Sequence, residues 1–362
     1  MTIRSERHTK WTALAVALLL AALVVIVSLI AGGGSKSAPQ TAGAPASRGA
    51  AVGARPWFAP YVDLTLTPVP RFQASAANPS GHVVLGFITA GAGDPCTPAW
   101  GGLATLQKAA ALNTQITQAQ AAHEQVLVSF GGAQGSDLAV GCTDPAKLQD
   151  AYQAVVARYS LNAIDLDVEG PGSLSPTVSA RRAQAIAAVQ RGRVTAGKPL
   201  GVWLTLTVSP SGLEPSGVAA VEQMLLAGVK LAGVNVMAFD YGPLPGDTML
   251  SASESALTAT AVQLQRLYRS NHIRAGPDGV WSQLGATIME GRTDTAGQVW
   301  DLSDARALYE FAFAHHLGRL SEWSLGRDQP CSGAPPQPSD SCSGVNQQPL
   351  EFSHDLLGRA AP

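Results

Sequence analysis

Asn162-Ala163-Ile164-Asp165-Leu166-Asp167-Val168-Glu169 sets three acids at alternate positions, with apolar residues between them. In an extended strand, side chains i, i+2 and i+4 share one face. Asp165, Asp167 and Glu169 therefore point one way, while Ile164, Leu166 and Val168 point the other, into an apolar layer. Like charges stacked on one face repel. A carboxylate withdrawn from water must also be paired, hydrogen-bonded or protonated. With only 14% of its residues charged, the chain does not stack acids on an apolar strand without a use for them.

Working outward, short β-rich runs are expected at Trp57–Asp63, His82–Thr89, Gln125–Gly132, Ala163–Gly170, Leu200–Pro210, Leu231–Gly242, Gln283–Asp294 and Arg319–Asp328. Helical stretches separate most of them, at Leu103–Ala122, Pro145–Tyr159, Ser179–Arg193, Gly217–Ala227, Glu254–Ser270 and Ser303–His316, the last capped by Ser303 or Asp304. Alternating β and α elements imply a parallel sheet with helical crossovers. Eight such strands suit an α/β fold closed as a (β/α)8 TIM barrel. An open doubly wound sheet is the alternative, but no Gly-x-Gly-x-x-Gly follows the first strand. Barrel chemistry sits at the C-terminal ends of the strands. Glu169 is placed there, as are Ser129-Phe130-Gly131-Gly132, Met237-Ala238-Phe239-Asp240-Tyr241 and Glu322-Trp323-Ser324.

These motifs resemble family-18 glycoside hydrolases, the chitinase family. The acid run is similar to its Asp-x-x-Asp-x-Asp-x-Glu signature, Ser129-Phe130-Gly131-Gly132 to its Ser-x-Gly-Gly on strand three, and Met237-Ala238-Phe239-Asp240 to its Met-x-Tyr-Asp on strand six. Trp323 resembles the strand-eight tryptophan beneath the sugar. The likeness covers roughly residues 57 to 330, with the motifs in the family's order. Two positions depart from the pattern. Asn162 replaces the first acid, and Phe239 replaces a tyrosine whose hydroxyl contacts the substrate acetamido group. Tyr241, two residues on, shares the strand parity and is the candidate for the missing hydroxyl.

The resemblance implies hydrolysis of β-1,4 bonds between N-acetylglucosamine units, with the substrate supplying its own nucleophile. Glu169 would be general acid, then base. Asp167 would orient the acetamido group, and Asp165 would share a proton with Asp167. Asp240, Tyr241, Met237, Trp323 and Ser129 would contact the sugar. Trp57, Trp100, Trp203, Trp281 and Trp300 are further candidates for an extended cleft. Three alternatives stay open. The barrel could bind sugar without cleaving it, the enzyme could act on N-glycan or cell-wall glycan, or the acids could ligate calcium or magnesium. No cofactor is expected.

The chain of 362 residues has a net charge of −2 and no basic run, which argues against nucleic acid. Arg4, Arg7 and Lys10 precede the uncharged, mostly apolar segment 11–31, long enough to cross a bilayer. Residues 1–10 are therefore expected inside, 32–54 as a flexible tether, and 55–362 as a single catalytic domain outside. A cleaved signal peptide, which would secrete the domain, is the other reading. Four cysteines fit an oxidising compartment. Cys96 and Cys142 lie in loops after neighbouring strands, so the expected pairs are Cys96–Cys142 and Cys331–Cys342. A monomer is expected.

Overall fold

The computed structural model describes residues 55–73, 78–170, 172–244, 246–276, 279–333 and 338–359. The expected cytoplasmic stretch, anchor and tether lie outside them. Among the described residues no helix is long and apolar enough to cross a membrane.

Eight parallel strands close into a ring. Strand one comes in two pieces, Trp57–Phe58 and Tyr61–Asp63. The others are His82–Ala90, Gln125–Gly131, Ala163–Asp167, Gly201–Ser209, Gly233–Met237, Leu284–Ile288 and Arg319–Glu322. Each pairs with the next in chain order. Strand one completes the circle, its first piece pairing with strand eight (Trp57 opposite Arg319) and its second with strand two (Tyr61 opposite Val84). Pro60 sits at the switch and has no N–H to offer, but its carbonyl accepts from the Val84 amide at 2.9 Å. The fold is a (β/α)8 TIM barrel.

The period-two pattern divides the apolar side chains into two layers. Ile164, Leu166, Val168 and their counterparts Val128, Leu204 and Val236 face outward, into one large core shared with the surrounding helices. Inside the ring lies a smaller cluster of Ala59, Tyr61, Val84, Leu127 and Trp203, with Trp57 and Ala163 packed against it. Above that cluster the interior turns polar, with Ser129, Asp165, Thr205, Asn235, Thr287 and Arg319 all buried.

Most expected helices are present with shifted ends. Pro145–Arg158 starts at a proline behind the Asp144 cap, whose side chain accepts from the Ala146 and Lys147 amides. Leu302–His315 is capped by Asp301, not by Ser303 or Asp304. Asp301 has the extended backbone of a cap and its carboxylate accepts from the Asp304 amide at 2.9 Å, so the helix begins earlier than expected. The expected helix Leu103–Ala122 is confined to Ala110–Ala121. Ahead of it, Pro98–Trp100 and Ala104–Thr105 extend the sheet as an antiparallel pair, turned by Gly101 and Gly102 at φ of 55° and 74°. A final helix, Glu351–Leu356, follows strand eight. Strands four, six, seven and eight all end before the expected boundaries, which bears on the site.

Both disulfides join the expected partners, Cys96 to Cys142 and Cys331 to Cys342.

Candidate active site

The three acids stand at increasing height on strand four, and each has a different environment. Asp165 is fully buried and takes four hydrogen bonds. Tyr61 Oη (3.0 Å) and Ser129 Oγ (2.7 Å) donate to one oxygen, Thr205 Oγ1 (2.8 Å) and Arg319 Nη1 (2.9 Å) to the other. One of the four donors is a guanidinium, so Asp165 and Arg319 form a buried ion pair. Arg319 is itself held inside the barrel, with its guanidinium carbon 5.3–5.5 Å from the ring centres of Trp57, Tyr61 and Trp203.

Asp167 is buried above this pair and its Oδ1 has no hydrogen-bond partner. Burial pushes its carboxyl well above the usual range, and the charges of Glu169 and Asp165 add to the shift. The four donors occupy both Asp165 oxygens, and among the described residues no hydrogen bond joins Asp165 to Asp167.

Glu169 follows the last ladder residue of its strand and reaches the cleft half-buried. Burial, then the charge of Asp240, raises its carboxyl to about 7. Near neutral pH it is therefore present both as the acid and as the carboxylate.

Gly131 makes this height possible. Its φ of +105° suits glycine, and a Cβ there would lie 2.0 Å from the Asp167 carbonyl oxygen. Strand three can approach strand four this closely only without a side chain.

The acids open into a cleft of about 470 Å³ at the C-terminal mouth of the barrel. Asp167, Glu169, Met237, Phe239, Asp240 and Trp323 all line it. Trp323 stacks on Phe87, with ring centres 5.4 Å apart and planes at 26°, and tilts against Tyr61. Asp240 lies on the rim, where its Oδ1 accepts from the Thr295 amide at 2.7 Å.

Four sequence expectations fail here. Tyr241 does not supply a hydroxyl to the cleft. Its strand ends at Met237 and Asp240 takes a left-handed φ of 51°, so alternation of faces no longer holds two residues on. The Tyr241 side chain turns inward and its hydroxyl lies 2.9 Å from Ser253 Oγ, on the helix Met249–Ser270. Ser129 does not reach substrate space, because it is buried beneath Asp165 and donates to it. Glu322 turns away from the mouth, its Oε1 accepting from Ser353 Oγ at 2.7 Å. None of the five additional tryptophans lines the cleft. Trp57 and Trp203 flank Arg319, Trp100 donates to Tyr159, Trp281 packs on Phe311, and Trp300 donates to the Ala238 carbonyl.

Sequence reasoning passed over Tyr61, Thr205, Asn235 and Arg319. None of them belongs to a repeated pattern of like residues that would mark it as functional. It also passed over Asp63, Asp294 and Asp340 on the cleft wall. Among the described residues, no group of three or more His, Cys, Asp or Glu side chains is arranged to hold a metal ion.

No family model matches the chain. It is 32% identical over 310 residues to a probable bifunctional chitinase/lysozyme of Escherichia coli K12, covering 84% of this chain and 33% of that protein. It is 31% identical over 281 residues to endochitinase 11 of Metarhizium anisopliae, covering 76% and 53% respectively. The chain therefore spans about a third and about half of these relatives. The catalytic domain of a hyperthermophilic chitinase from Pyrococcus furiosus superposes with a TM-score of 0.73 at 27% identity, covering 85% of this chain and 96% of that domain. A family GH18 chitinase from Chromobacterium violaceum shares the fold alone, at a TM-score of 0.54 and 14% identity, over 84% of this chain and 83% of that one. By sequence and by fold, the described barrel is similar to the catalytic domains of chitinases.

Proposed function

We propose that the domain hydrolyses β-1,4 bonds of chitin or chitin oligosaccharides, with retention, using the acetamido group of the substrate as nucleophile. Both curated relatives carry chitinase in their names, and a Pyrococcus furiosus chitinase domain of the same fold has been solved with chito-oligosaccharides. The observation that carries the reading is the division of labour among the three acids. Asp165 is spent on four donors, Asp167 is buried with a free Oδ1, and Glu169 reaches the cleft with its carboxyl raised to about 7.

In the first step Glu169 protonates the glycosidic oxygen as its bond to C1 breaks. The carbonyl oxygen of the acetamido group forms the new bond to C1, giving an oxazolinium ion. Asp167 Oδ1 accepts the acetamido N–H and holds the nucleophile in line. Water then attacks C1, losing its proton to Glu169, and the acetamido group is released. Two inversions give net retention. Trp323 supports the sugar ring.

The test compares wild type with Glu169→Gln on chitin oligosaccharides for hydrolysis, product anomer and binding. We expect a loss of about 10²–10⁴ in rate, the usual worth of general acid catalysis, with binding retained. A wild type that binds these sugars without turnover would replace this reading with that of a sugar-binding barrel.

We further propose that segment 11–31 holds the domain outside the cell membrane. The basic residues ahead of it and the two disulfides support this placement. Extraction by detergent but not by high salt is the expected behaviour, and a mature N-terminus near residues 38–50 in the medium would instead mean secretion.

A further inference from the structure

The cleft has an unusual charge balance. Six carboxyl side chains line it, Asp63, Asp167, Glu169, Asp240, Asp294 and Asp340, and among the described residues no Lys, Arg or His does. Asp63 stands at the end of strand one, and the loops after strands six, seven and eight supply Asp240, Asp294 and Asp340. The latter three share one side of the mouth. Burial raises the Asp294 carboxyl, the charge of Asp240 adds to it, Arg327 opposes, and Asp340 adds again. Arg327 is nevertheless fully buried and committed elsewhere, to the carbonyls of Glu290, Arg292 and Ser339. The rim acids thus repel one another, and among the described residues no basic side chain shares the cleft lining with them.

Two polar atoms within the cleft also lack protein partners, Asp167 Oδ1 and Thr89 Oγ1, on side chains almost fully buried. Buried polar groups need hydrogen bonds, so the site is built to receive a polar ligand. Its walls decide the charge of that ligand. An anionic glycan would bring carboxylates against like charge, and a neutral sugar offers the rim only hydroxyl and amide donors. A cationic glycan adds charge attraction to such hydrogen bonds.

We propose that the preferred substrate is a partially de-N-acetylated β-1,4-glucosamine polymer, whose protonated amines are drawn to the carboxylates of Asp240, Asp294 and Asp340. This rests on the proposed function above, because the sugar attacked must still carry its acetamido group. The residues beside it need not, and an ammonium there offers charge and hydrogen-bond donors to an acceptor-only rim. The bond broken therefore lies after an N-acetylated unit. Cell-wall glycan bearing carboxylates is disfavoured.

The test measures kcat/KM per cleavable bond for partially deacetylated and fully acetylated oligosaccharides of equal length, in mildly acidic buffer, with peptidoglycan as an anionic third substrate. At low salt the deacetylated substrate should be favoured. That preference should fade as salt rises from about 0.01 M to about 1 M, over which the screening length shrinks from about 30 Å to about 3 Å. New reducing ends should be N-acetylated throughout. In Asp294→Asn with Asp340→Asn, the ratio of the two rates should fall roughly 2- to 5-fold for each carboxylate removed, the worth of an exposed ion pair. A ratio near one that does not respond to salt, or comparable cleavage of peptidoglycan, would overturn the inference on wild type alone. Failure to cleave any of the three would instead refute the proposed function.

Discussion

Glu169 is an acid tuned by position. Its carboxyl sits at about 7 because burial and the charge of Asp240 both disfavour ionisation. The proposed mechanism needs the protonated form for its first step, and that form is lost as pH rises through that value. The rate kcat/KM should therefore fall on an alkaline limb near pH 7. Asp240→Asn removes the second cause and leaves the first, so the limb should move toward lower pH without reaching the ordinary glutamate range. A pH profile of the variant checks this, and an unmoved limb would disconnect Asp240 from Glu169. At this scale the sequence was informative where a pattern repeated. Alternate acids within an extended strand could be placed on one face, and their order of depth follows from strand position. Tyr241 was misplaced by the same rule, because one left-handed residue, Asp240, ends the alternation before it. Nothing in the residue types of Phe239-Asp240-Tyr241 marks that turn.

Among elements, strands three and four are coupled by a missing side chain. Gly131→Ala should strain a φ of +105° and drive a methyl into the Asp167 carbonyl, which must displace strand four where it carries the acids. We expect at least about 2 kcal/mol of destabilisation, read by denaturant unfolding, with a larger loss in activity than this alone explains. Asp301→Ala is a contrasting case, remote from the cleft. Loss of the cap should cost about 0.5–2 kcal/mol with turnover on short oligosaccharides preserved. Element order and type were legible because the apolar periods are long. Element ends were not. A cap depends on which side chain reaches back to an amide, and Asp301, Ser303 and Asp304 are all eligible by type. The pair Pro98–Trp100 and Ala104–Thr105 was hidden because Leu103 and its neighbours suit a helix until Gly101-Gly102 is seen to form a turn.

Across the whole molecule, a second set of buried acids lies away from the cleft. Glu290, Glu322 and Asp328 are enclosed between the ends of strands seven and eight and the helix Glu351–Leu356. Burial is the main cause that raises Glu290 to about 8, with Arg327 opposing and Asp328 adding. A carboxyl raised on folding binds its proton more tightly in the native state. Its contribution is favourable below the unfolded value near 4.5 and is lost as pH rises toward 8. Thermal stability should accordingly decline over that interval, and Glu290→Gln should flatten the decline. An equal pH dependence in both proteins would assign it elsewhere. The ion pair in the barrel interior is the opposite arrangement, a charge that must be kept. Arg319→Met leaves the Asp165 carboxylate buried without its cation, and should cost about 3–5 kcal/mol, partly recovered by adding Asp165→Asn. None of this was legible in sequence, since isolated polar residues acquire partners only when distant strands meet. That distance has a further meaning for synthesis. Asp165 and Arg319 are separated by 154 positions, and the arginine belongs to the last strand of the ring. A growing chain that has made its catalytic signature still lacks the counter-charge on which the acids stand. Until the final strand has been translated, nascent or prematurely terminated polypeptides carry the motif without the cation that pairs with Asp165.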